Sequence, residues 1–161
     1  MKHNNPKKTK KVENFPRDSV DMVFPVIKEL LSFNFKYFDG SQSAGQNFTA
    51  WTKEQLEKLF EKLKWYSSDS KLHWQKTSLG HGGLHCLEVY GDFPSGSAFT
   101  YPKHIPVGVQ WARFRLEGDM RLIGFFLDKN DIPKEDENFT RIFYIVFLDA
   151  YHQFYNGTDD K

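Results

Sequence analysis

Three apolar runs of strand length follow one another closely in the last third of the chain. They occupy 109–116, 121–127 and 141–148, and each is rich in aromatic or β-branched residues. Gly118, between the first two runs, supplies the positive φ that a tight hairpin turn needs. The third run has almost no polar residue, which is typical of a strand covered on both faces. These features predict an antiparallel sheet in which 141–148 is a central strand.

The first run alternates in character along its length. Because successive side chains of a strand point to opposite faces, Trp111, Arg113 and Arg115 share one face of this run. The residues between them are apolar, so the run has one apolar face and one face that carries two arginines. We therefore predict a half-buried strand.

Two helices are predicted before the sheet. The spacing of apolar residues over 18–32 is helical, and Pro25 either kinks this helix or begins it as the first helical residue. A second helix is predicted over 52–66, with Thr52 and Gln55 as its capping box. Its predicted apolar stripe consists of Leu56, Leu59, Phe60 and Leu63. We expect an α+β fold, in which N-terminal helices pack on a C-terminal antiparallel β-sheet of three to five strands.

The length of the chain fits one domain with a core of its own. We predict a disordered basic tail over 1–15, a single α+β domain over 16–156 and a short tail over 157–161. The basic charges of the first tail are Lys2, Lys7, Lys8, Lys10 and Lys11. Such a segment is either a solubilising tail or an electrostatic attachment to RNA or another polyanion.

Overall composition excludes several classes of protein. The net charge is +1, so total charge does not indicate a nucleic-acid-binding protein. No apolar run approaches the roughly 20 residues that a membrane span needs, and the N-terminus lacks a secretory apolar segment. The single cysteine, Cys86, excludes a disulfide framework within the chain and fits a reducing compartment. We therefore expect a cytoplasmic protein with no membrane partner.

The middle of the chain contains a histidine spacing that resembles a zinc-binding motif. His81 and His85 are four residues apart and Cys86 is adjacent, but two glycines between the histidines argue against a helix that would align them. The pattern favours a glycine-rich loop with surface histidines. An active-site loop, and a metal-bound enzyme at His81, His85 and His104, are the alternatives. A lone cysteine beside apolar residues is more typical of the core than of a catalytic thiol. We expect neither a metal nor a cofactor.

The C-terminal block has the side chains that cleavage of a phosphodiester without metal requires. That reaction needs a proton acceptor, cations that hold the phosphate charge and an acid for the leaving oxygen. Arg113, Arg115 and Arg121 suit bidentate phosphate contact, and His152 titrates near neutrality. Rings that can stack on a base are Trp111, Tyr144 and Tyr155, and Lys103 and His104 are further substrate-binding candidates. The arginines can instead pair with carboxylates such as Glu117, Asp119 or Asp149.

The order of these residues over 109–155 also resembles that of a known family. The residues that carry the resemblance, in chain order, are Trp111, Arg113, Arg115, Arg121, Asp149, His152 and Tyr155. The pattern resembles the C-terminal part of RelE/ParE-like toxins, in which arginine-bearing strands of a small antiparallel sheet precede a C-terminal His or Tyr. It is also similar to a group of small uncharacterised bacterial proteins with a tail of this type.

The resemblance implies a function. RelE-type toxins are metal-independent endoribonucleases that cut mRNA on the ribosome and are silenced by an antitoxin. By that resemblance, Arg113, Arg115 and Arg121 would hold phosphate, and His152 and Tyr155 would serve in proton transfer or base stacking. We therefore expect the toxin of a bacterial toxin-antitoxin system, with an antitoxin protein and RNA or the ribosome as partners. The alternatives are a gyrase-poisoning ParE-type toxin and a non-catalytic protein that binds a protein partner in a conflict or phage-related system.

Overall fold

A computed structural model describes residues 19–79 and 82–155, and it confirms an α+β fold with helices N-terminal to the main sheet. The described helices are α1 (Val20–Ile27), α2 (Lys53–Tyr66) and α3 (Lys71–Lys76), with 3₁₀ segments at Phe48–Ala50 and Lys134–Arg141. The described strands are β1 (Ser32–Asn34), β2 (Ser78–Leu79), β3 (Leu84–His85), β4 (Leu87–Gly91), β5 (Gln110–Arg115), β6 (Arg121–Phe126) and β7 (Ile142–Asp149). The predicted tails over 1–15 and 157–161, and His81, lie outside the described residues.

The main sheet has five strands in the order β1-β7-β6-β5-β4. Strands β4 to β7 are antiparallel, as predicted, whereas β1 joins the other edge of β7 in parallel. A parallel neighbour is possible here because the long connection between β1 and β7 allows the chain to cross over. The prediction that 141–148 forms a central strand is confirmed, since β7 lies between β1 and β6. Strands β2 and β3 form a separate antiparallel pair.

Helices α2 and α3 cover one face of the main sheet. The residues enclosed there, which we call the helix-side core, include Leu59, Leu63, Tyr66, Trp74, Phe114, Leu122, Phe126 and Phe143. Tyr66, the last residue of α2, donates its hydroxyl to the carbonyl oxygen of Arg115 at the end of β5. The indole nitrogen of Trp74 donates to the carbonyl oxygen of Tyr66 over 2.7 Å, which attaches α3 to the same point.

The predicted capping box of α2 is present. The Thr52 hydroxyl accepts from the Gln55 amide over 3.2 Å, and the Gln55 side-chain oxygen accepts from the Thr52 amide over 2.9 Å. The predicted apolar stripe is wrong at Phe60, whose exposed fraction is 64%. Leu59, Leu63 and Tyr66 face the core at intervals of four and three residues, so Phe60 lies beside this stripe.

Irregular chain covers the other face of the main sheet. The residues enclosed there, which we call the loop-side core, include Phe99, Ile105, Val109, Trp111, Ile123, Phe125, Phe147 and Phe154. The prediction that β5 is half-buried is wrong, because both Trp111 on the loop side and Phe114 on the helix side are buried. The segment 92–108, which has no helical or strand pattern in the sequence, supplies Phe99 and Ile105 to the covering layer.

Helix α1 does not contribute to either core. None of its residues is buried, and its large apolar side chains Val20, Met22, Phe24, Val26 and Ile27 are all exposed. Pro25 lies inside the helix and does not begin it. Leu31 is the buried residue that follows α1, so the chain enters the core only as it approaches β1. Within the described residues, no helix is long and apolar enough to cross a membrane.

A β-bulge in β7 fixes the register between the two central strands. Ile123 lies opposite Phe147 and Gly124 lies opposite Ile145, so β7 has one extra residue at Val146. Gly124 of β6 lies opposite Ile145, on the N-terminal side of this bulge, and directly against the backbone of β7. A strand glycine at this point permits the close approach of the two backbones.

We expect Gly124→Ala to lower the free energy of unfolding by about 1–3 kcal/mol, because overpacking in a rigid core has this cost. An added Cβ would lie 2.2 Å from the Tyr144 carbonyl oxygen, and a backbone atom cannot rotate away. Urea unfolding of the two proteins measures the difference. Gly82→Ala is the matched control, since a Cβ there meets only Leu84 at ordinary contact distance. Equal stability of Gly124→Ala and wild type would contradict the close approach.

Candidate functional site

Strand pairing places three arginines at one end of the main sheet. Arg115 pairs with Arg121 across the β5–β6 hairpin, and Arg121 pairs with Asp149 at the end of β7. Arg113 lies two residues further into the sheet, opposite Ile123, in the next row of side chains on the same face. By strand alternation these side chains share the loop side of the sheet, the side to which Trp111 and Ile123 belong. The hairpin turn brings them together because Gly118 has a φ of 53°, as the sequence predicted.

Asp149 positions the chain that follows β7. Its side chain is fully buried, and its Oδ1 accepts from the amides of Tyr151 and Gln153 over 3.2 Å and 3.0 Å. Its Oδ2 accepts from the amide of Phe154 over 2.9 Å. The carboxylate therefore closes the C-terminal turn by bonds to the backbone, as short polar side chains do in turns. This turn carries His152 back over the arginines.

His152 is held in a rare backbone conformation. Its φ is 55°, and no other non-glycine residue of the described chain has a positive φ. Its Nε2 contacts the NH1 nitrogen of Arg113. Since a guanidinium can only donate hydrogen bonds, the imidazole Nε2 must accept, so the proton of a neutral His152 lies on Nδ1. Burial, and then the positive charges of Arg121 and Arg113, lower the pKa of His152.

Arg113 has a partner at each nitrogen of its guanidinium. Nε and NH2 donate to Oε2 of Glu88 over 3.1 Å and 2.5 Å, and NH1 contacts His152. The guanidinium also lies 5.8 Å from the centre of the Tyr90 ring. Glu88 and Tyr90 both come from β4, which pairs with β5. The site therefore includes Glu88 and Tyr90, two residues of an edge strand that the sequence did not assign to it.

The charges of Arg115 and Arg121 are less completely compensated. Arg121 is 3% exposed, and its NH1 donates to the carbonyl oxygens of Gly118 and Met120 over 2.6 Å and 2.9 Å. The Nε atoms of Arg115 and Arg121 are buried and have no hydrogen-bond partner within the described chain. Burial, together with the charges of Arg115 and Arg113, lowers the pKa of Arg121 to about 10. Arg121 still carries its charge at neutral pH, and within the described residues neither Arg115 nor Arg121 forms an ion pair with a carboxylate.

Tyr155 also joins the site. Its ring stacks on that of Tyr90 with the ring centres 4.7 Å apart and the planes 11° from parallel. Burial raises the pKa of Tyr90, whose buried hydroxyl has no hydrogen-bond partner among the described residues. The two rings form a flat aromatic wall beside the Arg113 guanidinium.

The remaining predicted substrate-binding residues are not brought to this cluster. Trp111 is 1% exposed inside the loop-side core, so its ring is not available to stack on a base. Tyr144 stacks on Phe125, which lies four residues, or about 13 Å, along β6 from Arg121. His104 stacks on Tyr37, and its Nε2 lies 3.3 Å from the carbonyl oxygen of Tyr37. Tyr37 also packs against the Tyr144 ring, so His104 and its exposed neighbour Lys103 belong to this far end.

The histidine spacing in the middle of the chain depends on His81, which lies outside the described residues, so the structure does not test it. No group of three or more histidine, cysteine, aspartate or glutamate side chains within 19–79 and 82–155 is arranged to hold a metal ion. His85 is exposed in β3, whereas Cys86 is fully buried and burial raises the pKa of its thiol. The thiol therefore has the character of a core residue.

The chain matches no family model, no curated protein and no solved structure. Functional inference therefore depends on the chemistry of the cluster formed by Arg113, Arg115, Arg121 and His152, which we call the arginine-histidine site.

We expect the arginine-histidine site to make stability depend on pH through His152. Its pKa is lower in the folded protein than the ordinary value of 6.5, so the unfolded chain binds more protons between the two values. The stability that neutral His152 contributes is complete above about pH 6.5 and is lost as the pH falls through the folded pKa. Wild type should therefore lose more melting temperature between about pH 7.5 and 5.0 than His152→Gln does.

Thermal unfolding of both proteins in the same buffers checks this expectation. His85→Gln removes an exposed histidine and should follow wild type at each pH. If His152→Gln and wild type lose the same melting temperature on acidification, His152 is not held neutral by the fold.

Proposed function

We propose that the arginine-histidine site binds phosphate in RNA, and that the protein is a metal-independent endoribonuclease of the RelE-like toxin type. The observation that supports this most directly is the convergence of Arg113, Arg115, Arg121 and His152 on one side of the sheet. Guanidinium groups are the preferred ligands for phosphate, because their planar donors match two oxygens at once. Arg115 and Arg121 form no ion pair with a carboxylate of the described chain, which favours an anionic ligand.

The proposed reaction is transfer of the RNA phosphodiester to the neighbouring 2′-oxygen. The 2′-hydroxyl attacks phosphorus, its proton passes to a base, and the bond to the 5′-oxygen breaks as that oxygen takes up a proton. Neutral His152 is the proposed base, because its Nε2 carries a lone pair at neutral pH. Arg115 and Arg121 stabilise the charge that develops on the phosphate oxygens. Tyr155 is proposed to stack on a base or to protonate the leaving oxygen.

The contact between Arg113 and His152 gives the proposed mechanism an order of events. While Nε2 accepts from Arg113, it cannot take a proton from a substrate. Phosphate binding must therefore separate the His152 Nε2 from the Arg113 guanidinium before His152 acts as a base. In this proposal the protein is a cytoplasmic toxin that engages messenger RNA, with or without the ribosome, and an antitoxin keeps it inactive.

A second candidate, a non-catalytic protein that binds a protein partner, is favoured by α1. Several apolar side chains of this helix are exposed, among them Met22, Phe24 and Ile27, and the described residues bury none of the helix. Exposed apolar clusters of this kind often mark a protein-protein contact. A toxin also needs a surface for its antitoxin, so both candidates explain the exposed face of α1. Only a test of catalysis distinguishes them.

The decisive experiment incubates purified full-length protein with RNA in EDTA, and in a separate reaction with RNA on intact ribosomes in Mg²⁺ buffer. We expect cleavage by wild type and a loss of about a hundredfold or more in His152→Gln, since a positioned acid or base contributes that much. Circular dichroism must show that the variant is folded. The competing candidate predicts no cleavage by any form of the protein.

Arg115→Ala and Arg141→Ala form a matched pair of arginine substitutions for the same assay. Arg115 belongs to the site, whereas Arg141 lies at the other end of β7, about 25 Å along the strand from Asp149. Cleavage should fall in Arg115→Ala and be unchanged in Arg141→Ala. Equal losses in both would indicate general attraction of RNA by positive charge and would contradict a phosphate site at the sheet end.

A further inference from the structure

We propose that Glu88 is an internal competitor for the phosphate position on Arg113, and that it determines which anions the arginine-histidine site accepts. This inference rests on the proposed function, since it concerns the same anion site. No sequence pattern indicates a role for Glu88, which lies on an edge strand outside the segment that resembles the toxin family.

The Glu88 carboxylate contacts Arg113 in the way that a bound oxyanion, such as phosphate, contacts an arginine. One carboxylate oxygen accepts from both Nε and NH2, so it occupies the side edge of the guanidinium. An arginine holds a phosphate oxygen through the same edge. A phosphate cannot use this edge while Glu88 is in place.

Burial shows which partner of the ion pair can leave. The Arg113 side chain is 7% exposed, whereas the Glu88 side chain is 45% exposed. Release of a half-exposed carboxylate into water costs little, because water hydrates the charge. Arg113 cannot leave, since it lies within the sheet and is contacted by His152. A ligand therefore displaces Glu88 and finds Arg113 already positioned.

Competition with Glu88 makes the site selective. A small anion that contacts no arginine except Arg113 takes the place of the Glu88 carboxylate. The number of ion pairs is then unchanged, so the exchange brings no net gain. An oxyanion that also contacts Arg115 or Arg121 gains an interaction that Glu88 does not make. The class of ligand that this arrangement accepts is therefore a phosphate able to bridge two guanidinium groups.

Isothermal titration of the full-length protein with inorganic phosphate tests the inference. We expect Glu88→Gln to bind phosphate about tenfold more tightly than wild type, because the internal competitor has lost its charge. Glu88→Asp should also bind more tightly than wild type, since its shorter arm cannot reach the same edge of Arg113. The control is Glu57→Gln, which removes an exposed carboxylate on α2 that pairs with Lys53 over 3.5 Å. Its affinity should equal that of wild type.

The outcomes separate this inference from the proposed function. If wild type binds phosphate and both Glu88 variants bind equally or more weakly, Glu88 is not a competitor, and the anion site stands without it. If Glu88→Gln does not fold, Glu88→Asp decides by the same criterion. If neither wild type nor the variants bind phosphate, the anion site itself is absent and the proposed function fails with it.

Discussion

The hydrogen bonds of the Asp149 carboxylate hold the turn that follows β7 and, through it, the candidate site. The carboxylate is fully buried, and it accepts from three backbone amides of the turn that follows β7. Hydrogen bonds to a charged group contribute about 1.5–3 kcal/mol each, so together they offset the cost of burying the charge and of the positive φ at His152. The same bonds seat Phe154 in the loop-side core. One side chain therefore links the core to the position of His152.

The three arginines of the site lie close enough to repel one another. Three arginines lie within two rows of the sheet, while Glu88 pairs with Arg113 alone and the oxygens of Asp149 accept from the backbone. The repulsion among the arginines contributes to the lowered pKa of Arg121. Folded proteins tolerate such arrangements mainly where function needs them, because perturbed ionisable groups cluster at functional sites. An anionic ligand is favoured mainly because Arg115 and Arg121 form no ion pair with a carboxylate in the described part of the chain.

The sequence predicted the parts of the fold that local patterns determine. The three strands, the hairpin at Gly118 and the capping box of α2 each depend on residues close together in the chain, and each is present. Coverage of the sheet was not predictable in this way, because the loop-side layer is an irregular segment whose rings pack without periodicity. Helix α1 has a helical pattern, but a pattern does not show whether a partner covers the helix.

The site was predicted in part for the same reason. Alternation along β5 placed Arg113 and Arg115 on one face, since that relation is local, whereas the β5–β6 register adds Arg121 to the same face. Glu88 joins the site only through the pairing of β4 with β5, and the turn at Asp149 brings His152 back to Arg113. Pairing between strands distant in sequence leaves no signal in one chain. Burial of Trp111 likewise depends on a distant segment.

The proposed phosphate site is tested most directly by a measurement on the guanidinium groups themselves. Nitrogen-15 NMR resolves the Nε–H groups of buried arginines, and phosphate can be added to the labelled full-length protein while these signals are followed. If the three arginines form one phosphate site, the signals of Arg113, Arg115 and Arg121 shift together with one saturation curve, while the signal of Arg141 stays in place. Signals of the three arginines that move no more than that of Arg141 at high phosphate concentration would contradict this site.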